Sequence, residues 1–251
     1  MSAALFEYLL RLGDNTLVLG HRVSEWCGVA PALEEDIALA NTALDFIGQT
    51  QMWLAYAAEV EDKGRDADAL AFRRDVWDFR SLLLVEQTNG DFGKTLMRQF
   101  LFDAFNVLNL TALVGSADVR IAEIAAKSVK EAQYHLERSR ETVIALGDGT
   151  QESNRRMQKA LDVLWPFAGE MFVVDAVDTE MQKAGIGPDL AALRGEWVAI
   201  IQPVLTSAML TLPESDFAHK GGKTGVRHSE HLGHMLATMQ FLPRAYPDAQ
   251  W

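Results

Sequence analysis

Cysteine is almost absent: Cys27 is the one thiol in 251 residues. No intramolecular disulfide can form, and a reducing, cytoplasmic setting is expected. Proline is scarce at seven residues, and charged residues make up 23% against 49% hydrophobic. That balance excludes a disordered or fibrous chain. Positive charge is in deficit, with 23 Lys and Arg against 35 Asp and Glu, for a net charge of −12. An acidic surface repels phosphate backbones and anionic headgroups, so neither nucleic acid nor a membrane surface is an expected partner. No apolar run reaches the ~20 residues that span a bilayer. Residues 1–10 lack a basic stretch and carry Glu7, so they do not read as a secretion signal.

What is present is helical periodicity, with little strand-like alternation. The spacing predicts helices over residues 3–26, 32–61, 67–85, 92–114, 118–146, 151–183, 190–208 and 229–242. Gly28 and Pro31 break the first, and Asn89-Gly90 marks a turn. Ser116 and Asp118 are capping candidates, and Pro166 predicts a kink in its helix. Residues 67–85 are charge-rich and expected outside the core; residues 211–225 are expected to form a long loop. No composition shift marks a boundary. The chain is read as one all-α domain, residues 1–251, built round a four-helix core.

Apolar stripes at helical spacing carry polar interruptions. Asp14 lies among Leu10, Leu17 and Val18. Asp45 and Gly48 lie on a stripe of Ile37, Leu44, Met52 and Ala55. Asp103 lies within Leu96, Phe100, Val107, Leu110 and Val114. Ala132 and His135 lie on a stripe of Ile121, Ile124, Val129, Leu136 and Val143. Asp14 and Asp45 are 31 positions apart, Asp103 and His135 are 32, which suggests two hairpins presenting their polar residues at one level. A buried carboxylate is costly unless it is paired or holds a cation. Two metals in a bundle need a Glu from each of two helices and Glu-x-x-His from each of the other two. Here Asp45 has Gly48 where the imidazole belongs, and His135 has Ala132 where the carboxylate belongs. Three aspartates and one histidine fall short, so a metal-free polar network is the expectation. A mononuclear or imperfect dinuclear metal site is its rival.

The runs Arg11-Leu12-Gly13-Asp14-Asn15, Leu39-Ala40-Asn41 and Leu83-Leu84-Val85-Glu86-Gln87 carry a family likeness. So do Arg98-Gln99-Phe100, Lys130-Glu131-Ala132-Gln133-Tyr134-His135-Leu136, Gly221-Gly222-Lys223, His228 to Leu232 and Gln250-Trp251. Together they resemble the structural subunits of phenylacetyl-CoA epoxidases. The resemblance implies a ferritin-like fold and a place in a multicomponent oxygenase of phenylacetate degradation. It implies as partners a catalytic subunit, whose di-iron centre epoxidises the aromatic ring, and a reductase drawing on NADPH. Contacts between copies of this chain are also expected. In this likeness Asp14, Asp45 and Asp103 fall at or beside carboxylate-ligand positions, and His135 at a retained imidazole. Gly48 and Ala132 fall where ligands are lost, so no catalytic residue and no cofactor are expected in this chain. An acyl-CoA-binding module is a further alternative.

Other motifs carry less. The histidines of 228–234 are explained by a helix start capped by Ser229. Gly221-Gly222-Lys223-Thr224-Gly225 lacks phosphate-loop spacing and is expected to be flexible. Glu131 is expected to face solvent beside Lys127, and Glu86 to serve a cap or turn.

Overall fold

The computed structural model describes residues 2–247 and 249. Gln250 and Trp251, part of the family likeness, lie outside the described residues. Within them are eleven helices and no strand: α1 (Ser2–Ser24), α2 (Leu33–Glu61), α3 (Ala67–Phe72), α4 (Leu83–Glu86), α5 (Phe92–Leu113), α6 (Val119–Gly147), α7 (Gln151–Ala168), α8 (Ala176–Lys183), α9 (Leu190–Ser207), α10 (Glu230–Met239) and α11 (Phe241–Ala245). Several begin where an acidic side chain takes up free backbone N–H groups. Asp91 accepts from the Lys94 N–H at 2.8 Å, and Asp118 from that of Ile121 at 3.0 Å. Each such cap contributes about 1 kcal/mol.

Cross-helix register gives the topology. A Cβ on Gly13 would lie 2.6 Å from Leu54 Cδ2, and one on Gly20 would lie 3.2 Å from Phe46 Cβ. Between them the hydroxyls of Thr16 and Thr50 share a 2.7 Å bond. Numbers rise along α1 as they fall along α2, so the two are antiparallel. Tyr56 bonds Asp118, Gln49 bonds Glu131 and Asp45 bonds His135, so α2 and α6 are antiparallel too. The five-residue link 114–118 folds α5 back against α6, with Ser139 reaching Asp103. It follows that α2 and α5, successive core helices, run the same way. The chain must return along the bundle through residues 62–91 to join them. Two hairpins joined by one long crossover are the ferritin-like arrangement. The interior is packed with Phe46, Trp53, Phe100 and Phe102, each at most 2% exposed.

Several expectations fail here. On α2 the stripe of Ile37 and Leu44 faces outward, and Met52 and Ala55 are half-buried; the buried face is Leu39, Ala43, Phe46, Thr50, Trp53, Leu54 and Ala57. The helix is apolar on two sides, and the side lined with Phe46 and Trp53 buries more area. On the other core helices Val114 is exposed, and Val107, Val129 and Leu136 are half-buried. Residues 67–85 are neither one helix nor peripheral: α3 ends at Phe72, and residues 82–86 are all buried. The 151–183 segment continues through Pro166 and breaks after Ala168, where a tight turn over Gly169–Phe172 precedes α8. The last predicted helix is divided at Gln240 into α10 and α11.

Candidate functional site

Asp14 is fully buried on α1, and its carboxylate is saturated by protein donors. Arg74, itself 3% exposed, donates to both oxygens, at 2.9 Å to Oδ2. The Arg80 backbone N–H adds a bond of 2.7 Å to Oδ2. Arg74 also reaches the Asp78 carbonyl at 3.0 Å and lies 4.3 Å over the Phe79 ring. The cation demanded by this aspartate is therefore a guanidinium from the crossover. The expected common level with Asp45 is not found. The α1–α2 register sets Asp14 opposite Trp53, about 12 Å along the axis from Asp45 at 1.5 Å per residue.

The other three residues lie where α2, α5 and α6 meet. His135, 2% exposed, shares a 2.9 Å bond between Nε2 and Asp45 Oδ2, and its Nδ1 has no partner among the described residues. Asp45 sits at the rim with a third of its side chain exposed, so it is not on a buried face. Asp103 is 1% exposed and accepts from Gln99 Nε2 at 2.6 Å and Ser139 Oγ at 2.8 Å. Burial pushes its carboxyl up to about 6, opposed by the nearby His135 and by those two hydrogen bonds. Of the two positions at which the resemblance implies lost ligands, Ala132 is fully buried, while a Cβ on Gly48 would meet nothing within 4 Å. Among the described residues no group of three or more His, Cys, Asp or Glu is placed to hold a metal ion.

Two further carboxylates are buried, Glu86, which was read as a cap or turn residue, and Glu170, which the sequence did not single out. Glu86 is fully buried and no mere turn residue: it accepts from Ser81 Oγ at 3.1 Å and the Ser229 N–H at 2.7 Å, and pairs with His228 Nδ1 at 2.7 Å. Ser229 does precede α10, but without a side-chain cap. Glu170, 1% exposed, accepts from the backbone N–H groups of Leu83, Gly221 and Gly222, each at 2.8 Å. The glycine-lysine loop, expected to be flexible, is thus an anion-binding nest filled by the protein's own carboxylate. Lys223 is buried and bonded to Asp178. A Cβ on Gly222 would lie 2.5 Å from the Ser81 carbonyl and 2.9 Å from the Leu83 nitrogen, neither a flexible group. Gly222→Ala should therefore lower unfolding stability by about 2 kcal/mol in urea titration. An unperturbed transition would mean the loop is free to retreat.

Glu131 also departs from expectation: it accepts from Gln49 Nε2 across α2 and α6 at 2.9 Å. Residues that the sequence reading missed are Arg74, Gln99, Ser139 and Glu170, while His228 was read only as part of a helix start. Gln99 and Ser139 carried a usable signal, since each lies one helical turn from an identified position, Asp103 or His135. Arg74 and Glu170 carried none, because their partners are distant in sequence and in another element.

The phenylacetic acid catabolic protein family model matches residues 1–251. A curated relative, a subunit of the 1,2-phenylacetyl-CoA epoxidase of Escherichia coli (strain K12), is 48% identical over 247 residues, covering 98% of this chain and 99% of that protein. A match over the whole chain, with this ferritin-like bundle beneath it, places the protein: it belongs to the phenylacetic acid catabolic protein family.

Proposed function

We propose that this chain is a non-catalytic subunit of a cytoplasmic phenylacetyl-CoA epoxidase complex. It stabilises a catalytic homologue that holds the di-iron centre and receives electrons through a reductase. The likeness to an epoxidase subunit supports the assignment to such a complex. The non-catalytic role rests on one observation: the buried Asp14 carboxylate is occupied by Arg74 and the Arg80 N–H. A metal there would have to displace a guanidinium. With Gly48 and Ala132 at the lost-ligand positions, the donor set does not fit a two-metal centre.

The test is metal content. Chain expressed alone in iron- and manganese-replete medium should contain far less than one metal per folded molecule. Chain coexpressed with its catalytic homologue should yield a complex that, with the reductase, consumes NADPH when given phenylacetyl-CoA. Stoichiometric metal in the lone chain, lost on replacing Asp45 or His135, would sink the reading.

A further inference from the structure

The chain carries a net charge of −12, yet six cations gather around residues 86–98 and the start of α7. Arg98 of α5 is fully buried. Its guanidinium meets no carboxylate: it donates to the Gln87 carbonyl and, at 2.7 Å, to Asn89 Oδ1, and its Nε has no partner among the described residues. Arg22, 6% exposed, has one carboxylate, Glu25 at 2.9 Å, and an unpartnered Nε of its own among the described residues. Lys94, one turn before Arg98, is half-buried, and its ammonium donates to the Thr88 hydroxyl at 3.1 Å. Burial and then Arg22 push Arg98 down to about 9, and burial, Arg98 and Arg22 lower Lys94. Buried charges are as a rule paired with a counter-ion. Against these three cations the protein sets only Glu25 and, beside Lys94, Asp91.

Lys94 lines a cavity of about 390 Å³ between α5 and α7. From α7 come Arg155, Arg156 and Lys159, all exposed, with Ala160 and Val163 as an apolar patch. The one carboxylate in the lining is Asp91. Its Oδ1 accepts from the Lys94 backbone N–H, and its Oδ2 lies 3.9 Å from Arg156, beyond hydrogen-bond reach. Glu152, outside the lining, holds Arg155 by two bonds of 2.8 Å and Arg156 by one of 2.7 Å through its Nε. Those bonds leave Arg155 Nη1 and both terminal nitrogens of Arg156 with N–H groups to give. Lys159 forms no ion pair among the described residues. Four cations from two helices thus meet in one concavity with a single, partly engaged carboxylate. That sign is the reverse of the whole chain's, and it selects an anion.

We infer that this cavity binds a small molecule through a diphosphate group. One phosphate is drawn to Lys94, the other to Arg155, Arg156 and Lys159, and the organic remainder rests on Ala160 and Val163. A diphosphate suits the site because its charge is split over two centres, as the cations are split over two helices. Guanidinium forks also match phosphate oxygens in pairs.

The experiment titrates the full chain with inorganic pyrophosphate, phosphate and sulfate by calorimetry in about 50 mM KCl, where screening is modest. Pyrophosphate should bind saturably, with a dissociation constant below about 0.5 mM, and at least about tenfold tighter than phosphate or sulfate. It should also raise the thermal midpoint, because it binds the native state alone. Lys94→Gln with Lys159→Gln removes two cations that hold no carboxylate, and should weaken pyrophosphate at least about tenfold. Lys159→Gln alone, at an exposed site, should weaken it about threefold and serves if the double variant does not fold. Lys127→Gln, exposed on α6, should leave affinity unchanged. Equal affinity for pyrophosphate and sulfate, or wild-type affinity in the lysine variants, would mean an adventitious ion only and overturn the site. No saturable heat from folded wild-type chain would also overturn it, and would leave these cations to an acidic segment of another chain.

Discussion

Arg74→Met is expected to cost about 3–5 kcal/mol of unfolding free energy, the range for removing one partner of a buried ion pair. The methionine keeps the aliphatic stem over Phe79 but leaves Asp14 fully buried with a charge and one backbone donor. It also strips a bond from the Asp78 carbonyl. For a chain of this length the thermal midpoint should fall by roughly 10 °C. Asp14→Asn combined with Arg74→Met should recover much of the loss, because no lone charge is then left inside. A double-mutant cycle in urea would expose the coupling. A single Arg74→Met protein melting like the wild type would show that water reaches Asp14.

Asp103 gives the second large effect, and its sign is opposite to that of a salt-bridged carboxylate. Burial raises its folded pKa to about 6 from the ordinary aspartate value of 3.8, so the native state binds the proton more tightly than the unfolded chain. Between about pH 4 and pH 6 the native protein holds more proton than the unfolded one, and stability falls as pH rises through that window. The loss is on the order of 3 kcal/mol, since each tenfold change in proton affinity is worth about 1.4 kcal/mol. Asp103→Asn removes the charge. Its amide can still accept from Ser139 and can donate to Gln99 Oε1, which otherwise has no partner among the described residues. The variant should therefore match the wild type near pH 4 and exceed it by up to that amount at pH 8. Urea titrations across pH 4–8 check this, and an equal slope in both proteins would count against Asp103 as the source.

The core helices were legible because their caps and apolar spacing are local facts. Asp118, read as a capping candidate, announces the start of α6 within three residues of the groups it binds. The burial of Asp14, Asp103 and His135 was legible for the same reason. The inner face of α2 was not. Leu39, Phe46 and Trp53 form one stripe and Ile37 and Leu44 another, and spacing alone does not tell a face turned to the core from one turned outward. The crossover was misread because charge was taken as a sign of exposure. Arg74 is charged and buried because its counter-ion stands 60 residues earlier on another helix. Glu170 was invisible for a related reason: its partners are backbone N–H groups, which every sequence has and no composition reveals.

The bond between Glu86 and His228 joins residues 142 positions apart, and this has a consequence for biosynthesis. A ribosome adding roughly 5–20 residues per second emits His228 about 7–28 s after Glu86. Throughout that interval the crossover holds a carboxylate destined for the interior with neither its imidazole nor the Ser229 N–H to receive it. The α1–α2 and α5–α6 hairpins can collapse earlier, but the partners of the Glu86 carboxylate are complete only when residues 228–229 arrive. The crossover is therefore closed late in synthesis, by the segment that carries His228 and Ser229.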